Sequence, residues 1–192
     1  MNEIKVLIEG YAKSLENGWI ANSSVTIIKS QGNIVITDPG CDREKLLEEL
    51  KKEGLQTTYI NFVFLTHGHA DHSALAGIFE NAKIVDEFYV YQKDTIIKHE
   101  GTIPGTDLRV IRTPGHIQGH CSLSIETEQG IYVVAGDVFW WSESEEQIVD
   151  INKPDGDQEY MNMESLIASR KKLIELADYI IPGHGKMFKV VK

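Results

Sequence analysis

His67, His69, Asp71 and His72 occupy one six-residue stretch, HGHADH, in a chain that has only seven histidines. Imidazole nitrogen and carboxylate oxygen are the ligands that Zn²⁺, Mn²⁺ and Fe take readily. Gly68 leaves the backbone free to bend between the first two. A curled loop can therefore aim His67 and His69 at one ion and Asp71 and His72 at another. Packing alone rarely gathers four metal-capable side chains so closely.

Three further fragments supply what a two-metal site still needs: RTPGHIQGH offers His116, VVAGDVF offers Asp137 and IIPGHG offers His184. Like HGHADH, each follows directly on an apolar run, and rigid strand ends are good places from which to aim ligands. His116 completes a three-histidine set with His67 and His69, His184 joins Asp71 and His72, and Asp137 has two oxygens with which to bridge both ions. Divalent ions roughly 3.5–4 Å apart can bring a shared water toward deprotonation at neutral pH, giving a bridging hydroxide that attacks while the metals polarise the scissile group. The expected activity is hydrolysis of an ester-like bond of a small molecule: thioester, lactone, amide or phosphodiester. Asp137 as the bridge and Asp71 as a carrier of a proton to the leaving group are the candidate catalytic residues. Neither GxSxG nor a P-loop occurs. Cys41 and Cys121 form no CxxC pair, which argues against a disulfide framework and a thiolate zinc cage and leaves both as packing residues.

The elements that must position these residues are readable from apolar patterning. Short Val- and Ile-rich runs at 4–8, 25–29, 34–38, 62–66, 108–112, 121–125, 131–135 and 179–183 predict strands. A helix is predicted over 42–54, capped by Asp42 and stopped by Gly54. A second is predicted from Met161 to Ala177, with Met163, Leu166, Ile167, Leu173 and Leu176 on one side, and a short third near Ser73. Strands precede the first helix and one closes the chain, so simple βαβ alternation fails; two mixed sheets flanked by helices fit, an α/β (α+β) class. Residues 140–160 form a long acidic stretch broken by Pro154 and Gly156, readable either as a lid or as a solvated insertion. Residues just after Asp137 leave the same sheet edge, so Trp19, Phe139, Trp140 and Trp141 are candidates for the substrate-pocket wall. Along an extended segment Trp140 and Trp141 point to opposite faces, so at most one should line the pocket.

Length and composition set the frame: 192 residues, 42% hydrophobic and 25% charged, predict one globular domain over 1–192. The opening MNEIKVLIEG has charges within its apolar stretch and lacks a secretory h-region, so a cytoplasmic location and no membrane partner are expected. A formal charge of −10 disfavours phosphate backbones, and the expected partner is a small-molecule substrate.

HGHADH with His116, Asp137 and His184 resembles the metallo-β-lactamase superfamily and its HxHxDH motif, with all seven ligand positions filled. HADHSALAGIF, AGDVF and LADYIIPGHGKMF look most like small members of that family. The resemblance covers nearly the whole chain and implies a four-layer αββα sandwich with two divalent ions, zinc first and manganese or iron as alternatives, at the edge between the sheets. It also implies that Asp38, in ITDPG, supports the ligand loop through hydrogen bonds. Because TPGH breaks a helix and the family uses the first histidine, His116 is expected to be the ligand and His120 a supporting residue; His99 is expected at the surface. Eight residues follow His184, too few for the helical C-terminal domain of glyoxalase II enzymes, and the inserted domain of the family's nucleases is also missing. β-Lactam hydrolysis is not expected, since true β-lactamases resemble this pattern less well at Asp137. An endoribonuclease is one alternative, implied by likeness to a branch with assigned RNA cleavage and opposed by the charge. A mononuclear iron oxygenase of the persulfide type is another, opposed by the second ligand set. A scaffold module would need a lost ligand, and none is lost.

Overall fold

Neighbouring residues in the central strands are buried against different cores, and this double burial dictates layers. The structure, a computed structural model, describes residues 1–154 and 161–191. In chain order the elements are β1 (Glu3–Ile8), β2 (Tyr11–Leu15), β3 (Gly18–Asn22), β4 (Val25–Ser30), β5 (Asn33–Thr37), α1 (Arg43–Lys52), β6 (Phe62–Phe64) and α2 (Ala70–Ser73). There follow β7 (Lys83–Val85), β8 (Tyr89–Gln92), β9 (Thr95–Lys98), β10 (Arg109–Arg112), β11 (Cys121–Thr127), β12 (Gly130–Trp140), α3 (Met163–Leu176), β13 (Tyr179–His184) and β14 (Phe188–Lys189).

Seven strands form one sheet in the order β1-β4-β5-β6-β7-β8-β9, five form a second in the order β10-β11-β12-β13-β14, and β2 pairs with β3 as a separate hairpin. Ile28, Val35, Phe62 and Phe64 of the first sheet meet Leu123, Ile125, Val134 and Ile181 of the second in an inter-sheet core. The alternate residues Ile27, Ile36 and Val63 pack outward with Leu46 and Leu50 of α1. Val133 and Ala135 turn from the second sheet to Leu166 and Leu173 of α3. The layers are thus helix, sheet, sheet, helix, and sites at the strand ends rest on a framework closed on both sides.

Local chemistry sets the helix limits. Asp42 accepts the Lys45 N–H at 3.1 Å, and at the far end Gly54 (φ +69°) lets Leu55 N–H return to Leu50 O at 2.9 Å. Asn162 caps α3 through Ser165 N–H at 2.9 Å. No described helix is long and apolar enough to cross a membrane.

Several expectations need correction. β2, β3, β7, β8, β9 and β14 have no counterpart in the sequence reading, and β12 extends to Trp140. The short helix begins at Ala70, before Ser73. His99 is buried, its Nε2 3.0 Å from Asp86 O while its Nδ1 accepts the Gly101 N–H, so it ties together two loops. Within 140–160, residues 155–160 lie outside the described residues. The part before them is fastened to the body: Trp141 Nε1 donates to Ile148 O (3.1 Å), and the buried Arg170 of α3 donates to Val138 O (2.8 Å) and Ile151 O (3.1 Å).

Candidate metal centre

All the candidate ligands stand at one end of the sandwich because the strands that carry them run the same way. β5 and β6 are parallel, as are β12 and β13, and β10 is antiparallel to β11, which is antiparallel to β12. His67 and His69 lie just beyond β6, Asp71 and His72 within α2, His116 beyond β10, Asp137 near the end of β12 and His184 at the end of β13. The α2 loop is fixed from outside by Ser23 N–H to Asp71 O (3.0 Å) and Gly40 N–H to His72 O (3.1 Å).

The hydrogen bonds on the far side of the rings determine which nitrogen faces the site. His184 Nδ1 stands 3.0 Å from Tyr11 O and 3.2 Å from Asn22 O; carbonyls only accept, so Nδ1 carries the proton and Nε2 turns a lone pair inward. Asp38 accepts Thr66 N–H at 2.8 Å through Oδ1, and Thr66 Oγ1–H at 2.6 Å through Oδ2. Since that hydroxyl proton is committed, His67 Nδ1 donates to Thr66 Oγ1 at 3.1 Å, and His72 Nδ1 donates to Asp38 Oδ2 at 2.9 Å. One buried carboxylate, on a residue with φ +39°, thereby orients two imidazoles. His116 Nε2 and His69 Nδ1 face each other at 3.0 Å.

Asp137 stands between the two groups. Its Oδ1 is 3.2 Å from His72 Nε2 and 3.7 Å from His184 Nε2, while Oδ2 is 3.6 Å from His116 Nε2 and 3.9 Å from His67 Nε2. Asp71 Oδ2 lies 3.2 Å from His184 Nε2. The backbone leaves room for this carboxylate: a Cβ on Gly183 would come within 1.8 Å of Asp137 Oδ1. His120 is spent elsewhere, because its Nε2 accepts Asp137 N–H at 3.2 Å and its Nδ1 donates to Thr113 Oγ1 at 3.0 Å. With no lone pair free, His120 holds the Asp137 backbone while His116 faces the centre.

Electrostatics follow from crowding in a dry site. Burial, then the His72 imidazole, hold His67 well below the usual histidine range, and burial with His116 beside it takes His120 down to about 3. Burial opposes charge on His72 and His184 as well, but Asp137 and Asp38 outweigh it at His72, raising it well above the usual value. Asp137 and Asp71 bring His184 up to about 9. Burial would raise the Asp137 carboxyl, yet His72 and His184 hold it well below the usual carboxylate range.

The donors fit divalent ions. His67 Nε2, His72 Nε2 and Asp137 Oδ1 are buried without a hydrogen-bond partner, a costly arrangement for polar atoms unless something binds them. The donor atoms within the set His67, His69, His116 and Asp137, and within the set Asp71, His72 and His184, lie within 4.8 Å of one another. Nitrogen and carboxylate donors without thiolate suit zinc, manganese or iron.

A cavity of about 590 Å³ opens onto the centre, and Ala12, Trp19, Ala21, Cys41, Ala70 and Trp140 line it with the exposed sides of the ligands. Trp19 and Trp140 meet edge to face at 5.7 Å. Two pocket expectations are corrected. Phe139 and Trp141 are 2% and 5% exposed and stack on each other within the α3 core, because alternation about Trp140 turns both away from the cavity. Cys41 is corrected too: it is exposed and lines the cavity, its thiol 3.3 Å from Ala21 O. Sequence reasoning missed Thr66, for which the signal was a hydroxyl directly before His67. It also missed the Tyr11 and Asn22 carbonyls, which carry no residue-type signal.

The metallo-beta-lactamase superfamily profile matches residues 19–104. Metallo-beta-lactamase domain-containing protein 1 of Xenopus laevis is 30% identical over 201 residues, covering 100% of this chain and 83% of that protein. N-acyl homoserine lactonase of Bacillus thuringiensis is 31% identical over 106 residues, 46% of this chain and 42% of the lactonase. Among solved structures, a metallo-beta-lactamase from Thermotoga maritima superposes with a TM-score of 0.72 at 19% identity, covering 98% of this chain and 99% of that one.

Proposed function

The chain belongs to the metallo-beta-lactamase superfamily, a superfamily of hydrolases, and on that premise we propose that it is a dinuclear metal-dependent hydrolase of a carbonyl ester-like bond in a small, uncharged molecule with an apolar arm. The observation that carries the reading is Asp137, whose two oxygens face two separate donor groups while three buried donor atoms lack any partner. When bound, a pair of divalent ions supplies an activated water and polarises the scissile carbonyl.

The chain's own residues do the rest. Asp38, Thr66 and the Tyr11 and Asn22 carbonyls keep the imidazoles in the tautomers that present nitrogen lone pairs to the centre. Asp71 is half-buried on the cavity wall, where its carboxylate can pass a proton to a leaving oxygen or sulfur. Trp19 and Trp140 with Ala12 and Ala21 offer apolar contact at little conformational cost. No Lys or Arg lines the cavity among the described residues, which supports a neutral substrate over a phosphodiester or RNA. The likeness to an N-acyl homoserine lactonase favours lactones within this class.

Elemental analysis of protein purified without chelator should find close to two divalent ions per chain, and Asp137→Asn should lose metal and hydrolysis together. The metal-loaded enzyme should hydrolyse acyl lactones or thioesters in preference to phosphodiesters and RNA. One ion or none, or full activity in Asp137→Asn, would sink the dinuclear reading; preference for RNA would sink the substrate class.

A further inference from the structure

The two sheets have four edges, and three of them are blunted against other strands. β1 carries Glu3 and Lys5, paired with Lys29 and Glu53; β10 is bracketed by Arg109 and Arg112; and β14 has only two residues. Charges and short length are the usual protections of an exposed edge. The fourth edge, β9, reads Thr95-Ile96-Ile97-Lys98, with Ile96 63% and Ile97 62% exposed on opposite faces. Ile97 pairs with Val90, which belongs to the inter-sheet core, so its apolar surface overhangs that core uncovered.

We propose that β9 is a dimerisation surface on which it pairs antiparallel with β9 of a second copy of this chain, with Ile96 on the two-fold axis. The register follows from the hydrogen-bond alternation. His99 N–H donates to Phe88 O at 3.0 Å, and continuing the β8–β9 register makes residues 95, 97 and 99 the ones whose backbone groups turn to β8. Ile96 and Lys98 therefore turn theirs outward, and the axis must pass through one of them if the sheet is to continue with its faces preserved. Lys98 on the axis would place two ammonium groups opposite each other. Ile96 on the axis instead sets Thr95 against Ile97 of the partner subunit and Lys98 across from Asp94 of the partner subunit in the adjoining turn. Like side chains meet without charge conflict, opposite charges meet twice, and the overhanging Ile97 is covered. A second copy is favoured over an unrelated strand because the sequence is complementary to itself in this register. The pairing is short, so the dimer dissociates on dilution.

Sedimentation of the intact, metal-loaded protein across the micromolar range should show a monomer–dimer equilibrium. Ile96→Lys should be monomeric with its circular dichroism and metal content unchanged. Lys98→Asp should weaken the dimer on the order of tenfold by opposing like charges at two symmetric positions, and the double variant Asp94→Lys with Lys98→Asp should restore it. In a Cys41→Ser background, Ile96→Cys should give a disulfide-linked dimer on mild oxidation, since directly opposed hydrogen-bonded positions lie about 5.5 Å apart at Cα. A monomer at every concentration, or a dimer that survives Ile96→Lys, overturns the proposal.

Discussion

At the scale of single residues, the centre depends on which nitrogen or oxygen is already committed. His116 and His120 are four residues apart and equally buried, and residue type does not separate them. Their partners do: His120 Nε2 is occupied by Asp137 N–H, whereas His116 Nε2 stands 3.0 Å from His69 Nδ1 at the centre. Replacing His116 by Ala should lower metal content and abolish turnover. Replacing His120 by Ala should leave the metal bound and slow turnover by roughly 10–100-fold, the usual cost of losing a group that orients a ligand. Metal analysis beside kcat for both variants checks the pair, and the reverse pattern refutes the assignment. A similar contrast holds for the neighbouring tryptophans. Trp140 lines the cavity, so Trp140→Ala should raise KM and alter acyl-chain preference. Trp141 is packed against Phe139 and Phe188, so Trp141→Ala should cost about 3–5 kcal/mol of stability and be visible in thermal melts.

At the scale of elements, legibility in the sequence tracked how strongly burial imposed a pattern. The strands buried on both faces, such as Phe62–Phe64 and Ile131–Ala135, appear as unbroken apolar runs, and α1 is announced by its Asp42 cap and Gly54 stop. The β2–β3 hairpin is invisible in the sequence because YAKSL and GWIAN lie mostly exposed and encode no face. Yet this hairpin supplies both carbonyls that fix His184 and the indole of Trp19. β8 and β9 were lost for the same reason, an edge with little to bury. The ligand motifs were legible because metal coordination demands residue types, whereas their supports are backbone atoms that any sequence can provide. Gly183 is one support with a residue-type demand: a methyl there would overlap Asp137 Oδ1 and push the bridging carboxylate off both donor groups. Gly183→Ala should therefore fold, since its site is a strand position and not a left-handed one, but with metal stoichiometry and activity reduced together. Unchanged metal content in that variant would show that the strand can yield without moving Asp137.

At the scale of the whole molecule, the centre joins parts that the cores do not. His67, His69, Asp71 and His72 issue from the seven-stranded sheet, His116, Asp137 and His184 from the five-stranded one, and both donor sets draw on the two sheets. Below them the sheets are held together by the inter-sheet core, but at this end their contact is a cluster of buried imidazoles and carboxylates in which three atoms have no partner. Ions bound only by the folded chain add RT ln(1 + [M]/Kd) to its stability, about 4 kcal/mol for one site at a thousandfold excess over Kd. For a chain of this size 1 kcal/mol moves the unfolding midpoint by roughly 2–4 °C, so stripping one such site should lower Tm by about 8–16 °C and stripping two by more. Chelator treatment followed by removal of the chelator, then melting with and without added zinc or manganese, measures this directly. The loss should be reversed by added metal in the wild type and largely absent in Asp137→Asn, whose melt should already resemble that of stripped protein. A Tm indifferent to chelation would mean that the sheets close at this end without ions, and that the partnerless atoms are tolerated in the folded chain.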